Sequence, residues 1–585
     1  MSDLLNSASL VMIPSGYAED KVYSAVPTDG SGDLSFTRAS NGTRINSAGL
    51  VEVCPWNMVE NSENFGAVWA QIAGITITAN STTAPNGTTT ADTLDDQSVG
   101  AFSSIQQTFV YVAGVYTFSI YIKKTSGSLT HYVGLEMCSK GSYLIFNTTT
   151  GTYAEDGGPN YTVNVENVGD YWRVSITTST TGGSQNIGVW PAISSNGSTI
   201  SSGATGSNVF WGAQLNIGST AKPYFPTTDR LNVPRLTYQN GGGGCPSLLL
   251  EKQSTNQLTY SEQFDNAAWI KEDLTVTANA TTSPDGTTNA DKLIANTSST
   301  DHSIYQSNAV FTGASVSFSA YAKASDYNYI FLGKNNSIAS DGVFFDLTNG
   351  TISQNTSALT ASIQSVGNGW YRCIVSSTSW PTPHPIICLS ENGTSFNFAG
   401  DSSKGVFVWG GQAEISSYPT SYIPTTSASA TRVADACFRN SYAGGITSEG
   451  TIFADFEYLR TDGGYATPCL IINGSNYIYM FVISNTIRAN CTNGGVIQSQ
   501  IISSTVTPNT RYKVAATFKT NDFSLYVNGA LIGTDTSGTM PTFSTSFNTY
   551  VGTDSSLTEP VGKLNELVIF PVGLTNSELA SLTTI

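Results

Sequence analysis

One long stretch of this chain occurs twice, and the repeat limits what the chain can fold into. Asn57 aligns with Asn256, 199 residues further on, and the register persists. Phe65 pairs with Phe264, Thr78-Ala79-Asn80 with Thr277-Ala278-Asn279, Asp92 with Asp291, and Arg173 with Arg372. The turn Ala84-Pro85-Asn86-Gly87 returns as Ser283-Pro284-Asp285-Gly286. Duplicated modules of this length usually present surfaces rather than perform reactions, so the repeat favours display or adhesion over catalysis.

The pattern inside each copy is that of β-strands. In Gly114 to Lys123 the residues Tyr116, Phe118, Ile120 and Ile122 fall on one face. The second copy repeats this with Val316, Phe318, Ala320 and Ala322. Period-two alternation marks half-buried antiparallel strands. Many short strands punctuated by Gly, Asn and Pro predict a sandwich of the jelly-roll kind. Residues 57–228 are the first module and 256–426 the second, joined by a Gly-rich connector, 229–255. Leu248, Leu249 and Leu250 in that connector are too apolar to be free and are expected buried between modules or subunits. A linker, 427–449, leads to a third domain, 450–585. There Tyr512, Val514, Ala516 and Phe518 alternate, and Phe523, Leu525 and Val527 run into the hairpin signal Asn528-Gly529. Thr575 and Glu578 form a capping box that starts a short terminal helix. Residues 1–56 hold only short apolar pieces, and the preferred expectation is an extended assembly or anchoring arm. An added edge strand is the other reading. The predicted fold class is therefore all-β: two tandem jelly rolls, then a third sandwich, preceded by an N-terminal arm.

Composition excludes several functions. Charged residues make up 11% of the chain, against roughly 25% in an average domain, so Ser, Thr, Asn and Gly must build the polar surface. The formal net charge is −17, with 25 Lys plus Arg and no basic cluster, which disfavours nucleic acid and anionic membranes as partners. No apolar run reaches the roughly 18 residues of a membrane span. The opening residues lack the pattern of a secretion signal, so cytoplasmic synthesis is expected. Eight scattered cysteines without ligand spacing read as small buried groups.

Two resemblances emerge from particular strings. The segment Arg511 to Gly529, RYKVAATFKTNDFSLYVNG, together with the ending LNELVIFPVGLTNSELASL, resembles a laminin-G/concanavalin-type sandwich. Residues 57–426, with NQLTYSEQFDNAAW, TSPDGTTNADKL, GNGWYRC and SYPTSYIPTT, resemble carbohydrate-binding-module-like jelly rolls of tailed-bacteriophage virion proteins. The string Phe36 to Ser40 with Arg44 to Leu50 fits that group too. The resemblance implies a non-enzymatic virion protein, a capsid decoration, head fibre or tail fibre, made in the bacterial host cytoplasm. It would dock to other virion proteins through the arm, self-associate, by analogy with fibres as a homotrimer, and contact host-surface glycans. The alternatives are a polysaccharide-degrading tail spike or glycanase, and a bacterial surface adhesin.

Candidate chemistry is sparse. Glycoside hydrolysis needs two carboxylates about 5–9 Å apart; Glu251, Glu262, Asp265, Glu414 and Glu566 are the candidates. Asp455 and Glu457 share a strand face but lack a third acid further along, and a solvated outer face is the plainer reading. His131, His302 and His384 are isolated. No cofactor is expected; calcium is the one ion that the copied Asp92/Asp291 turn would suit, though one acid per turn is too little to hold it. Sugar binding uses aromatic platforms, and Trp190, Tyr327 and Trp380, in segments that diverge between the copies, are the candidate exposed ones. Trp211/Trp409 and Phe118/Phe318, being copied, read as core.

Overall fold

Alternating strands need a partner face, and here each set finds one. The computed structural model describes residues 2–585 apart from 112, 308–310, 312–314, 336–340, 358, 381–383, 442–444, 461–462, 544–546, 555 and 557–559. It divides into two compact units. One comprises Pro55–Arg230 with Gly286–Thr288; the other comprises residues 1–54, 231–285 and 289–585.

The first module fills the smaller unit with two antiparallel sheets of six described strands each. Tyr116, Phe118, Ile120 and Ile122 lie in its core with Leu135, Phe146, Ile176 and Leu215, as alternation requires. Gly114–Lys123 pairs with Tyr171–Thr180 on one side and Gly206–Ile217 on the other.

The second module, in the larger unit, repeats this plan. Val316–Lys323 pairs with Trp370–Ser377 and Gly405–Glu414, and Val316, Phe318, Ala320 and Ala322 are core residues. The copied aspartates are internal staples. Asp92 accepts from the backbone amides of Asn80 (2.8 Å) and Phe65 (3.0 Å); Asp291 accepts from Asn279 (2.9 Å) and Phe264 (2.7 Å). Their oxygens tie together three separate stretches of each module.

The last sandwich is all-β as expected but not contiguous in sequence. Tyr512, Val514, Ala516, Phe518, Phe523, Leu525 and Val527 all enter one core. Asn528 and Gly529 both take positive φ, 50° and 82°, in the turn to Ala530–Asp535, the geometry of a type I′ hairpin. The helix Asn576–Thr583 opens on the capping box of Thr575 and Glu578.

Much of residues 1–56, expected as a projecting arm, is instead strands of this sandwich, while Gly42–Ile45 and Val51–Cys54 pair with each other. Leu10–Met12 pairs with Gly562–Phe570, and Leu34–Thr37 pairs with Ala436–Arg439. The connector and the 427–449 linker also contribute. Arg235–Thr237 pairs with Ser247–Leu250, which pairs with Gly562–Phe570. Leu10, Met12, Leu34, Phe36, Leu248 and Leu250 thus share a core with Phe456 and Leu564. The physical reason is burial. Short apolar strands bury little alone, and pairing with a sandwich edge satisfies backbone and side chains together. The glycine run is a close approach: a Cβ on Gly242 would lie 2.6 Å from the Gly49 nitrogen.

Candidate functional site

Three segments of the larger unit meet on buried charges. Arg38 Nη1 reaches Asp435 Oδ1 at 2.8 Å, Arg235 Nη1 reaches Glu251 Oε2 at 2.8 Å, and Arg235 Nη2 bonds Asp435. Arg432 lies 3.5 Å from Glu251 and 3.6 Å from Asp435. Burial alone would raise both acids. The guanidiniums of Arg432 and Arg235 nevertheless hold Glu251 down to about 2, and Arg235, Arg38 and Arg432 hold Asp435 below the usual carboxylate range. Glu251, a hydrolytic candidate, is therefore a structural counter-ion. Sequence reasoning missed Arg235, Arg432 and Asp435. Their signal was a charge inside an apolar run, as in Val433-Ala434-Asp435-Ala436-Cys437.

Several of the other acids carry partners too. Glu414 is fully buried and accepts from Ser254 Oγ (2.6 Å), Gln412 Nε2 (2.8 Å) and the Thr420 amide (2.9 Å). Glu262 accepts from Tyr422 Oη and Asn289 Nδ2, both at 3.1 Å. Burial and the neighbouring Asp285 push it up to about 8. Asp265 is exposed. Asp455 and Glu457 lie on the outer side of a strand whose Ile452, Ala454 and Phe456 enter the core. Arg511 clamps Asp455, and Lys563 lies 3.2 Å from Glu457. Glu566 is the cross-strand partner of Asp455, and burial followed by that neighbour raises it.

The histidines do not converge. His131 Nε2 lies 2.9 Å from Asn208 Nδ2, and burial lowers its basicity. His302 is buried between the carbonyls of Asp273 and Phe398, while His384 stacks on Tyr305. Among the described residues no group of three or more His, Cys, Asp or Glu could hold a metal. The eight cysteines are free, and all but Cys245 are buried. No described helix is long and apolar enough to cross a membrane.

The three aromatic candidates for a sugar platform are core residues. Trp190 is 4% exposed, set edge-on to Tyr143 at 5.2 Å, and Gly188 makes room for its ring. Tyr327 is 4% exposed and edge-on to Phe398 at 5.3 Å. Trp380 is fully buried, with Lys334 Nζ 5.4 Å from its ring centre. Divergence between the copies reflects different packing rather than a variable rim. A buried ring offers a sugar no face to stack on.

What the larger unit does present is a cavity of about 300 Å³. Its floor is the outer face of the second module, where Thr360–Gly367 and Trp370–Ser377 set Thr360 opposite Ser376, Ser362 opposite Ile374, and Gln364 opposite Arg372. Thr43 to Ile45, Tyr418 to Tyr422, Glu457 and Lys563 form other walls. Hydroxyls and amides reach it because period two sends Ile363, Cys373 and Val375 inward, and they share the lining with Ile45, Val51, Leu249, Val366 and Ile374. Four of its five charged side chains are matched: Arg44 pairs with Glu52, Glu251 with Arg235, and Glu457 with Lys563.

Residues 457–580 match the family described as the concanavalin A-like lectin/glucanases superfamily, and the chain ends in a laminin-G/concanavalin-like sandwich. Among solved structures, a sialidase CBM40 from Ruminococcus gnavus bound to α2,3-sialyllactose is similar at 16% identity, covering 24% of this chain and 84% of that one, with a TM-score of 0.22. The tandem CBM22 domains of Paenibacillus barcinonensis Xyn10C are similar at 12% identity, covering 61% and 95%, with a TM-score of 0.18. Domains LG4-5 of the mouse laminin α1 chain are similar at 10% identity, covering 46% and 86%, with a TM-score of 0.15. No curated protein matches the chain.

Proposed function

We propose that this chain is a non-enzymatic structural protein of a tailed-phage virion, displaying sandwich modules that attach to host or environmental glycans. The observation that carries the binding half is the cavity, whose mixed lining of hydroxyls, amides and aliphatic side chains suits the polar edge and apolar face of a sugar ring and whose two carboxylates, Glu251 and Glu457, each carry a cationic partner. Hydroxyl-rich ligands are held by few, well-placed polar groups in a pre-formed concavity. The virion half rests on the strings in residues 36–50 and 57–426 that resemble phage proteins. With residues 1–54 folded into the last sandwich, attachment to the particle falls to an outer surface of the folded chain. Self-association, a homotrimer by fibre analogy, belongs to the same proposal.

The test pairs two measurements on the full chain: binding to an array of bacterial surface glycans, and reducing-sugar release from the glycans bound. Binding without release is expected. Sustained release would favour the glycanase reading, for which one observation speaks: Glu566, raised by burial, stands opposite Asp455 on the neighbouring strand. In that event Glu566→Gln should abolish release.

A further inference from the structure

The fifth charge of the cavity has no counter-ion. Arg372 is 8% exposed and lines the cavity floor. Its Nε and Nη2 reach Ser319 Oγ at 3.3 and 3.0 Å, and its guanidinium lies 5.6 Å from the centre of the Tyr321 ring. Among the described residues no carboxylate pairs with it. A buried cation facing a cavity without an anion is costly, and the cost falls when a ligand supplies the anion.

The first copy shows what was changed. There the matching Arg173 makes the same two contacts, to Ser119 Oγ at 3.3 Å and 5.5 Å from the Tyr121 ring centre, and its Nη2 donates to the Lys222 carbonyl at 2.6 Å. An exposed acid, Glu166, is its cross-strand neighbour in register without forming an ion pair. In the second copy Gln364 occupies the place opposite Arg372, so the neighbouring strand offers no acid, and here the arginine lines a cavity. Around it Thr360, Ser362 and Ser376 offer hydroxyls, and Gln364 offers an amide.

We propose that this cavity selects a saccharide bearing a carboxylate, a uronic-acid-type unit, with Arg372 holding the carboxylate and the hydroxyl row holding the ring. A planar guanidinium matches a carboxylate in geometry as well as charge. A single negative charge suits one unmatched arginine better than a dianion would. A cavity of about 300 Å³ stands at the small end of ligand sites, the scale of one or two sugar units. The inference rests on the glycan-binding reading and adds the ligand's charge to it.

The test uses the full chain and ligand-observed NMR with D-glucuronate, its methyl ester, D-glucose and acetate. Glucuronate should bind at least about tenfold more tightly than the ester, glucose or acetate, the scale of one charge-assisted pair in a sheltered site. Arg372→Gln should remove that preference. Gln364→Glu, which restores the acid of the first copy without disturbing Arg372, should remove it as well and covers the case in which Arg372→Gln fails to fold. Arg173→Gln should leave it intact. Equal binding of glucuronate and glucose, equal binding of acetate, or a preference that survives both variants would overturn the inference while leaving glycan binding in place. If no saccharide on the array or in the NMR series binds, the broader reading falls with it.

Discussion

Asp435→Asn is the sharpest test of how the larger unit is held together. Asp435 faces Arg38 at 2.8 Å and also bonds Arg235, with Arg432 at 3.6 Å, and it accepts the Glu251 amide at 2.9 Å. Replacing it leaves three buried guanidiniums sharing one carboxylate. Removing one partner of a buried pair costs about 3–5 kcal/mol, a large share of the roughly 5–15 kcal/mol that keeps a domain folded. At about 2–4 °C per kcal/mol for a domain of 150–250 residues, melting should fall by about 6–20 °C. The charges also fix the pH dependence. Both acids have folded-state values below their unfolded ones, so their contribution is complete above about pH 4.5. It is lost as pH falls toward about 2, where Glu251 titrates. Thermal melts by near-ultraviolet circular dichroism between pH 2 and 7, with limited proteolysis of residues 1–54, measure both effects. The variant should melt lower, lose the N-terminal strands to protease first and show a shallower acid limb. Melting within a degree of the parent, with an unchanged acid limb, would refute the argument.

Two further outcomes follow from the same packing. Glu262 holds a proton up to about pH 8 when folded, against about 4.3 unfolded, so stability should decline as pH rises through that window. Glu262→Gln should flatten the decline in denaturant titrations at pH 5 and 9, and an unchanged slope would show the carboxyl to be better solvated than its surroundings imply. Deleting residues 2–13 strips Leu10–Met12 from Leu567 to Ile569 and exposes an apolar strand edge. Light scattering should then report aggregation of the last sandwich, whereas a soluble, monodisperse product would show that the strand is dispensable.

Local rules read most of this chain well. Alternation placed Phe118 and Phe318 in their cores, Asn528-Gly529 in its turn, and Thr575 with Glu578 on the terminal helix, because each depends on neighbours a few residues away. What stayed hidden is non-local. Nothing in Leu10 to Met12 says that its partner strand ends at Phe570, since edge pairing uses backbone groups that every residue carries. Trp190, Tyr327 and Trp380 are buried for a related reason: divergence between copies marks surface variation only where the cores match, and two sandwiches with different core shapes also diverge. Arg372 was visible as a copied residue, and copying suggested structure alone. Its significance lies across the strand, where Glu166 gives way to Gln364, and only the register shows which residues face each other.

The strand plan of the last sandwich carries one more implication. The chain leaves it at Cys54 and re-enters at Leu231, and those two crossings run side by side, with Cys54 Sγ 3.4 Å from the Pro234 carbonyl oxygen. A loop whose two ends meet can be exchanged without tearing the host around it. The parent framework can therefore act as a socket, trading the cassette between those crossings for another sandwich or for a brief glycine bridge.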